Sequence, residues 1–381
     1  MSWRIPLADV EMGEAERQAA DRVLRSGWLS MAGETEAFEH SLADRFGVRH
    51  AFAVSNATAA LHLALAALGI KAGDQVAVPS LTFVASANAI LYTGAEPVFV
   101  DIEGPDDLTI SPSDLERRLT PRTRAVIVMH YAGYVCDMPA IIQVARRRGL
   151  GVVEDAAHAL GAQREGRNAG AFGDAACFSF FANKNLTTGE GGAIVTDRDD
   201  LAERVRLMRS HGMTTLTWDR WKGHAHSYDV VELGYNYRFD ELRAAIGHAQ
   251  LGRLDETNER RRQIVERYRR RLGDVPGVRV PFARHPGTSA HYIFPVLLPD
   301  AETRRQVIEA LSAEGIQTSI HYPPIHRFTY YRWRFPSAGQ DLKLTEGVAD
   351  RELTLPLYPS LRNDEVDAVV DELKRALSRA A

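Results

Sequence analysis

Lys184 stands in an uncommon setting. It falls inside SFFANKNLTTGEGG (Ser179–Gly192), between an aromatic run and a glycine-rich one. A lone lysine is ordinarily a solvated surface charge. Here the GEGG run at 189–192 asks for an unusual backbone path or a close approach, and Asn183, Asn185, Thr187 and Thr188 offer hydrogen bonds that could fix the loop. A lysine positioned in this way is a nucleophile toward a carbonyl carbon, through a Schiff base. A second stretch is GVVEDAA (Gly151–Ala157), where two valines lead into a Glu-Asp pair. Either acid could simply cap a helix. An acid at the end of a buried strand, however, lies where open α/β sheets form their ligand crevice, and a carboxylate buried there must face a cation. The third stretch is SNATAAL (Ser55–Leu61), a strand-to-helix turn of small residues. Ser and Asn cap helices routinely, but such a turn also leaves backbone N–H groups free, and the helix dipole favours an anion beside them.

One cofactor uses all three features together. Pyridoxal 5′-phosphate (PLP) needs a lysine for its aldehyde, an acid for its pyridine nitrogen and an anion site for its phosphate. A dinucleotide site is the natural competitor for an α/β chain, but no G-x-G-x-x-G occupies a strand-to-helix turn.

The elements that must position these groups follow from hydrophobic periodicity. Short β-like runs at 50–55, 75–79, 96–102, 124–130 and 151–154 alternate with helical patterns at 57–68, 82–92 and 138–148. A late strand pair, 176–181 and 192–197, brackets the lysine loop. This alternation predicts an α/β layered domain with a mainly parallel sheet. From Asp240 to Leu272 apolar residues recur at three- and four-residue steps, which predicts helix with a break near Gly252. A strand at 291–298 and helices at 301–313 and 364–377 complete a smaller α+β part. The expected boundary separates a large domain, 1–251, from a small C-terminal domain, 252–381.

Bulk properties narrow the classes. The 381 residues are 45% hydrophobic and 25% charged, with a net charge of −4, so no global pull toward nucleic acid or an anionic membrane is expected. The arginine clusters at 260–262 and 269–271 read as the solvated face of a long helix, with Glu256, Glu259 and Glu266 as partners. Cys136 and Cys177 are the only cysteines, which fits a reducing compartment rather than a disulfide scaffold. The first twenty residues do not read as a signal peptide, and no apolar run approaches membrane-spanning length. A cytoplasmic protein without membrane or nucleic-acid partners and without a metal site is expected.

Over nearly its whole length the chain resembles the sugar aminotransferases of the DegT/DnrJ/EryC1/StrS group, which are fold type I PLP enzymes. The resemblance runs from GWLSMAGETEAFE (Gly27–Glu39) through SNATAALHLAL, VPSLTFVASANAI, MHYAGYVCDM, VEDAAHALGA, the lysine stretch and GYNYRFDELRAAIGHAQL to TSIHYPPIH (Thr318–His326). It implies a large domain with a mixed, mainly parallel sheet sandwiched by helices, plus the smaller C-terminal α+β domain. It assigns Lys184 to the cofactor aldehyde and to proton movement, and Asp155 to the pyridinium nitrogen. His158 falls beside the ring hydroxyl, Phe83 against the ring, and Ala57, Thr58 and Ser179 at the phosphate. Asn236, in GYNYR, would reach that phosphate from a second subunit, so a homodimer with shared sites is implied.

The resemblance also places Arg238 as a partner for the donor carboxylate, and His321, Tyr322 and His326 on the substrate side. The aromatic, arginine-rich TYYRWRF (Thr329–Phe335) could stack on a base or sugar, or pack at the dimer. The implied reaction moves an amino group from L-glutamate to a nucleotide-linked ketosugar. The EDAAHA and MHYAGY segments resemble relatives that aminate at C4, so an NDP-4-keto-6-deoxyhexose is expected, feeding an antibiotic glycoside or a surface glycan. An NDP-3-ketosugar or a keto-inositol is the alternative, and a non-catalytic PLP- or sugar-nucleotide-binding regulator is a further one.

Overall fold

The apolar runs VAV, VIVM and VV become strands buried on both faces, the mark of a sheet covered by helices on either side. In the computed structural model, which describes residues 3–215 and 227–380, seven strands form the main sheet. They are β1 (His50–Val54), β2 (Gln75–Pro79), β3 (Glu96–Val100), β4 (Thr123–Met129), β5 (Gly151–Asp155), β6 (Ala175–Ser179) and β7 (Gly192–Thr196). Their spatial order is β1-β7-β6-β5-β4-β2-β3. The pairs β6–β5, β5–β4, β4–β2 and β2–β3 are parallel, whereas β7 runs antiparallel to both neighbours. Side chains alternate across the sheet. Val126 and Val128 of β4 enter one core with Phe38 and Phe178, while Ala125 and Ile127 enter the opposite core with Leu63 and Ile194.

Three predicted elements match the structure to the residue, among them the 75–79 strand and the Met138–Arg148 helix. The Ala301–Ala313 helix does so as well. The 240–272 pattern resolves into helices Glu241–Leu251 and Leu254–Leu272, parted at Gly252. The helix expected from Thr82 begins at Val84, because Phe83 is extended and the Thr82 hydroxyl bonds Ser86 Oγ at 3.0 Å. The strand expected over 291–298 shrinks to β8 (Phe294–Leu297). Its leading residues are diverted: Ala290 and Tyr292 donate their N–H groups to Gly133 and Ala132 at 3.2 Å.

A strand that the periodicity did not mark, β9 (Glu352–Leu355), pairs antiparallel with β8. These two, the Leu254–Leu272 helix and the Asn363–Ala380 helix share a separate core of Ile264, Tyr268, Val296, Leu353 and Val369. Ile5 joins this core through a bridge to Ile316. The arginine clusters need correction. Arg262 pairs with Glu259 and Glu266 as expected, but Arg261 is buried and donates to the carbonyls of Leu357 at 3.1 Å and Tyr292 at 3.4 Å. Arg267 and Arg271 tie their helix to Asp367 and Asp371 of the Asn363–Ala380 helix.

Candidate active site

Parallel strands deliver their last residues to one edge of the sheet. Met129 ends β4, Asp155 ends β5 and Ser179 ends β6, and all three line one cavity of about 740 Å³. The start of the Ala57–Ala67 helix closes one side. Asn56 caps that helix by accepting the Ala59 N–H at 2.8 Å, which leaves the first two N–H groups, of Ala57 and Thr58, without an intrahelical acceptor. Gly192 lets β7 approach this turn: a Cβ there would stand 2.6 Å from Ala57 N and 2.8 Å from Phe178 O.

The loop carrying Lys184 is tied on both flanks. Phe180 N–H donates to Gly191 O at 2.9 Å, and Thr188 N–H donates to Phe180 O at 2.9 Å. Asn185 Nδ2 donates to Ala290 O at 2.6 Å and to Asn258 Oδ1 at 2.7 Å. Lys184 Nζ lies 3.9 Å from the centre of the Tyr292 ring. The Tyr292 hydroxyl in turn donates to Asn183 Oδ1 at 3.1 Å.

Asp155 is 4% exposed. It accepts the Ser86 hydroxyl at 2.6 Å and the Ala157 N–H at 3.2 Å. Burial raises its pKa above the usual carboxylate value, against the pull of Ser86, Ala157 and Lys184. The adjoining Glu154 faces the other way. It accepts N–H groups from Gly170, Phe172 and Gly173 and sits 2.8 Å from His130 Nε2. Burial works against its charge, but His130 and these N–H groups prevail and hold its pKa below the ordinary value. Cys136 N–H approaches His130 Nδ1 at 3.2 Å, so that nitrogen accepts and Nε2 carries the proton toward Glu154. Glu154 thus anchors the end of β5, and Asp155 is the acid presented to the cavity.

His158 is buried. Its Nε2 lies 2.9 Å from the Tyr322 hydroxyl, whereas its Nδ1 has no partner among the described residues. Burial, with Lys184 and His321 nearby, holds its pKa well below the ordinary imidazole value. Phe83, 52% exposed, stands at the opening with its ring 5.7 Å from that of Tyr322. His321 also lines the cavity.

The cavity therefore gathers Ala57, Thr58, Phe83, Asp155, His158, Ser179, Lys184, His321 and Tyr322 of the sequence candidates. Asn236 and Arg238 lie outside its lining. Asn236 is exposed on a bridge to Ser210, and Arg238 donates to Ser210 Oγ at 3.2 Å. His326 is also elsewhere, buried between Ser80 Oγ at 2.7 Å and Glu346 at 3.2 Å. Of TYYRWRF, Tyr331 packs inward and bonds Asn88 Oδ1 at 2.6 Å, while Tyr330 and Trp333 are exposed. Sequence reasoning missed Ser86, Tyr292 and Tyr237, the last of which also lines the cavity. Tyr292 carried a signal as a polar aromatic near the start of a predicted strand, whereas Ser86 and Tyr237 lay inside quoted segments with nothing local to single them out.

The model of the DegT/DnrJ/EryC1/StrS aminotransferase family matches residues 10–374. The chain belongs to this family. It is 42% identical to the spore coat polysaccharide biosynthesis protein SpsC of Bacillus subtilis over 98% of this chain and 96% of the relative. Among solved structures, DesI in the presence of its TDP-sugar product is 36% identical, with a TM-score of 0.88 over 100% of this chain and 94% of that one. The PMP form of Spr1654 from Streptococcus pneumoniae is 28% identical, with a TM-score of 0.92 over 99% of this chain and 100% of that one. The protein is a PLP-dependent sugar aminotransferase of fold type I. The cavity fits that cofactor on its own chemistry. It holds a buried carboxylate short of a cation, a buried imidazole nitrogen short of a partner, an amine, and two uncommitted helix N–H groups.

Proposed function

We propose that the enzyme transfers the amino group of L-glutamate to a nucleotide-linked ketosugar, most specifically an NDP-4-keto-6-deoxyhexose. The observation that carries this reading is one cavity in which Lys184, Asp155 and the Ala57–Thr58 turn face a common space. Likeness to SpsC and to DesI with its TDP-sugar product supports a nucleotide sugar for a glycan or a glycoside. When bound, PLP supplies a carbonyl that amines can add to and a protonated ring that accepts an electron pair.

This chain's residues do the rest. Lys184 would hold the cofactor, and its Nζ would carry a proton to and from the substrate carbon. Asp155 keeps the ring nitrogen protonated. Ala57, Thr58 and Ser179 would hold the phosphate, His158 would meet the ring hydroxyl, and Phe83 would pack against the ring. Holding amine, ring and substrate in register makes each proton transfer local. The 1–251 part carries the cofactor, and the 252–381 part, with its own core, supplies Tyr292, His321 and Tyr322. A second copy completes the site with Asn236 and Arg238. The exposed Val230, Val231 and Leu233 beside them offer the apolar surface that such a partner would cover.

A visible absorption spectrum tests this reading. PLP-loaded protein should absorb as a yellow species, lose that band on addition of L-glutamate, and regain it with an NDP-4-ketosugar but not with an NDP-3-ketosugar or a keto-inositol. Recovery with the 3-ketosugar alone would move the substrate assignment. Absence of the band after PLP is supplied, or ordinary turnover by Lys184→Ala, would overturn the roles given to Lys184.

A further inference from the structure

Glu352 is a carboxylate inside a hydrophobic setting. It opens β9, its side chain is fully buried, and among the described residues no Lys, Arg or His forms an ion pair with it. What it does have is a chain of hydrogen bonds. The Thr354 hydroxyl reaches Glu352 Oε1 at 2.5 Å, and His321 N–H donates to Oε2 at 2.8 Å. The same Thr354 hydroxyl lies 2.9 Å from His321 Nδ1. Residues two apart on a strand share a face, so Glu352 and Thr354 form a short row that ends on the His321 ring. That ring lines the cavity, and its Nε2 has no hydrogen-bond partner among the described residues.

A hydroxyl has one proton to give. When Glu352 is ionised, both its oxygens accept. Thr354 must then donate to Oε1 and accept from His321 Nδ1–H, and a neutral imidazole presents a bare Nε2 to the cavity. When Glu352 is protonated on Oε1, it donates to Thr354, Thr354 donates to Nδ1, and the ring proton sits on Nε2. One proton at the buried end thus exchanges donor for acceptor at the other. We propose that Glu352 is a positioning residue which, through Thr354, sets the nitrogen of His321 that carries the proton and so decides whether His321 offers the ketosugar a donor or an acceptor. This rests on the reading that the cavity takes the ketosugar.

The neighbouring charges permit such a switch. Burial pushes Glu352 from 4.5 up to about 8, against the bonds from Thr354 and His321 and the more distant Arg304. Arg304, on the Ala301–Ala313 helix, donates instead to the Glu352 carbonyl at 3.3 Å and the Ala349 carbonyl at 2.6 Å. Tyr131 donates to the His321 carbonyl, and Tyr322, with His158 and Asp155 beyond it, flanks the ring. Burial and then Lys184 bring His321 down to about 4. The ring is therefore neutral wherever Glu352 titrates, and only its tautomer changes.

The test is the tautomer itself, read by NMR on full-length, cofactor-loaded protein carrying 15N-histidine, with the signal assigned by its loss in His321→Asn. The His321 proton should sit on Nε2 below about pH 8 and on Nδ1 above it. In Glu352→Gln, whose amide donates to Thr354 at every pH, it should stay on Nε2. Thr354→Val should abolish the switch, and Thr354→Ser should keep it. In parallel, KM for the ketosugar should rise about tenfold from pH 7 to pH 9 in the unsubstituted enzyme, the worth of one hydrogen bond. It should stay flat in Glu352→Gln and Thr354→Val, with the glutamate half-reaction unchanged. A tautomer that ignores pH in the unsubstituted enzyme, or a switch that survives in Thr354→Val, overturns the proposal. Failure to turn over any ketosugar would instead overturn the functional reading, and the NMR result would still decide the role of Glu352.

Discussion

Asp155 costs the protein something for as long as burial outweighs what Ser86, Ala157, Lys184 and His130 do to meet its charge. Its raised pKa says that the folded chain holds the proton more tightly than the unfolded chain does. The stability it contributes is thus present at acid pH and is lost as pH rises through the folded value. Asp155→Asn removes that loss. Cofactor-free Asp155→Asn protein should melt about 2–4 °C higher than the parent at pH 8, while turnover of the loaded enzyme falls by two or more orders of magnitude, because a neutral amide cannot keep the ring nitrogen protonated. Scanning calorimetry and steady-state rates on one preparation check both halves, and an unchanged rate would remove Asp155 from its role. Lys184 and Asp155 were legible in the sequence because each is placed by its own short segment, a tied loop or a strand end. Tyr292 and Ser86 were not, since Tyr292 reaches Lys184 from more than a hundred residues away and Ser86 reaches Asp155 from a helix on another strand crossover.

At the level of elements, the helix start proposed to hold the phosphate depends on two close fits. Asn56→Ala removes the cap of the Ala57–Ala67 helix and should cost about 1 kcal/mol of stability with a modest loss of PLP affinity. Gly192→Ala should do more, since its Cβ meets backbone atoms of Asn56, Ala57 and Phe178 that no rotamer change can clear. Overpacking of this kind costs about 1–3 kcal/mol, and it should open the turn and weaken PLP binding at least about tenfold. Equilibrium dialysis of PLP, alongside urea unfolding, separates the two variants. β9 has its own signature. Glu352, with its pKa raised to about 8 from 4.5 by burial, makes stability fall as pH rises between those values. The stability difference between the parent and Glu352→Gln should therefore shift against the parent across that window and level off above it. The strands and helices of the sheet were legible because buried runs and helical periodicity are local properties. β9 was missed because ELTL is only four residues long, and its burial comes from pairing with β8 rather than from its own pattern. His326 shows the same limit: its neighbours in sequence suggest substrate, but the fold turns it to Ser80 and Glu346.

At the scale of the whole molecule, two kinds of loose end stand out among the described residues. Asn236 and Arg238 stand apart from the cavity of their own chain, and Val230, Val231 and Leu233 beside them are more than half exposed. Both are resolved if a two-fold partner covers the apolar residues and receives Asn236 into its own site, since an isologous contact exchanges the same residues in both directions. That arrangement predicts complementation. Lys184→Ala and Asn236→Ala homodimers should each be weak or inactive, because every site in the first lacks the amine and every site in the second lacks a phosphate ligand. In a mixed dimer, the site that combines Lys184 of one chain with Asn236 of the other is intact. Equal amounts of the two variants, unfolded together and refolded, should recover about a quarter of parental activity, because random pairing makes half the dimers mixed and each mixed dimer has one intact site of two. If Asn236 served its own chain, no pairing could restore a site, and the mixture would stay at the mean of its two components.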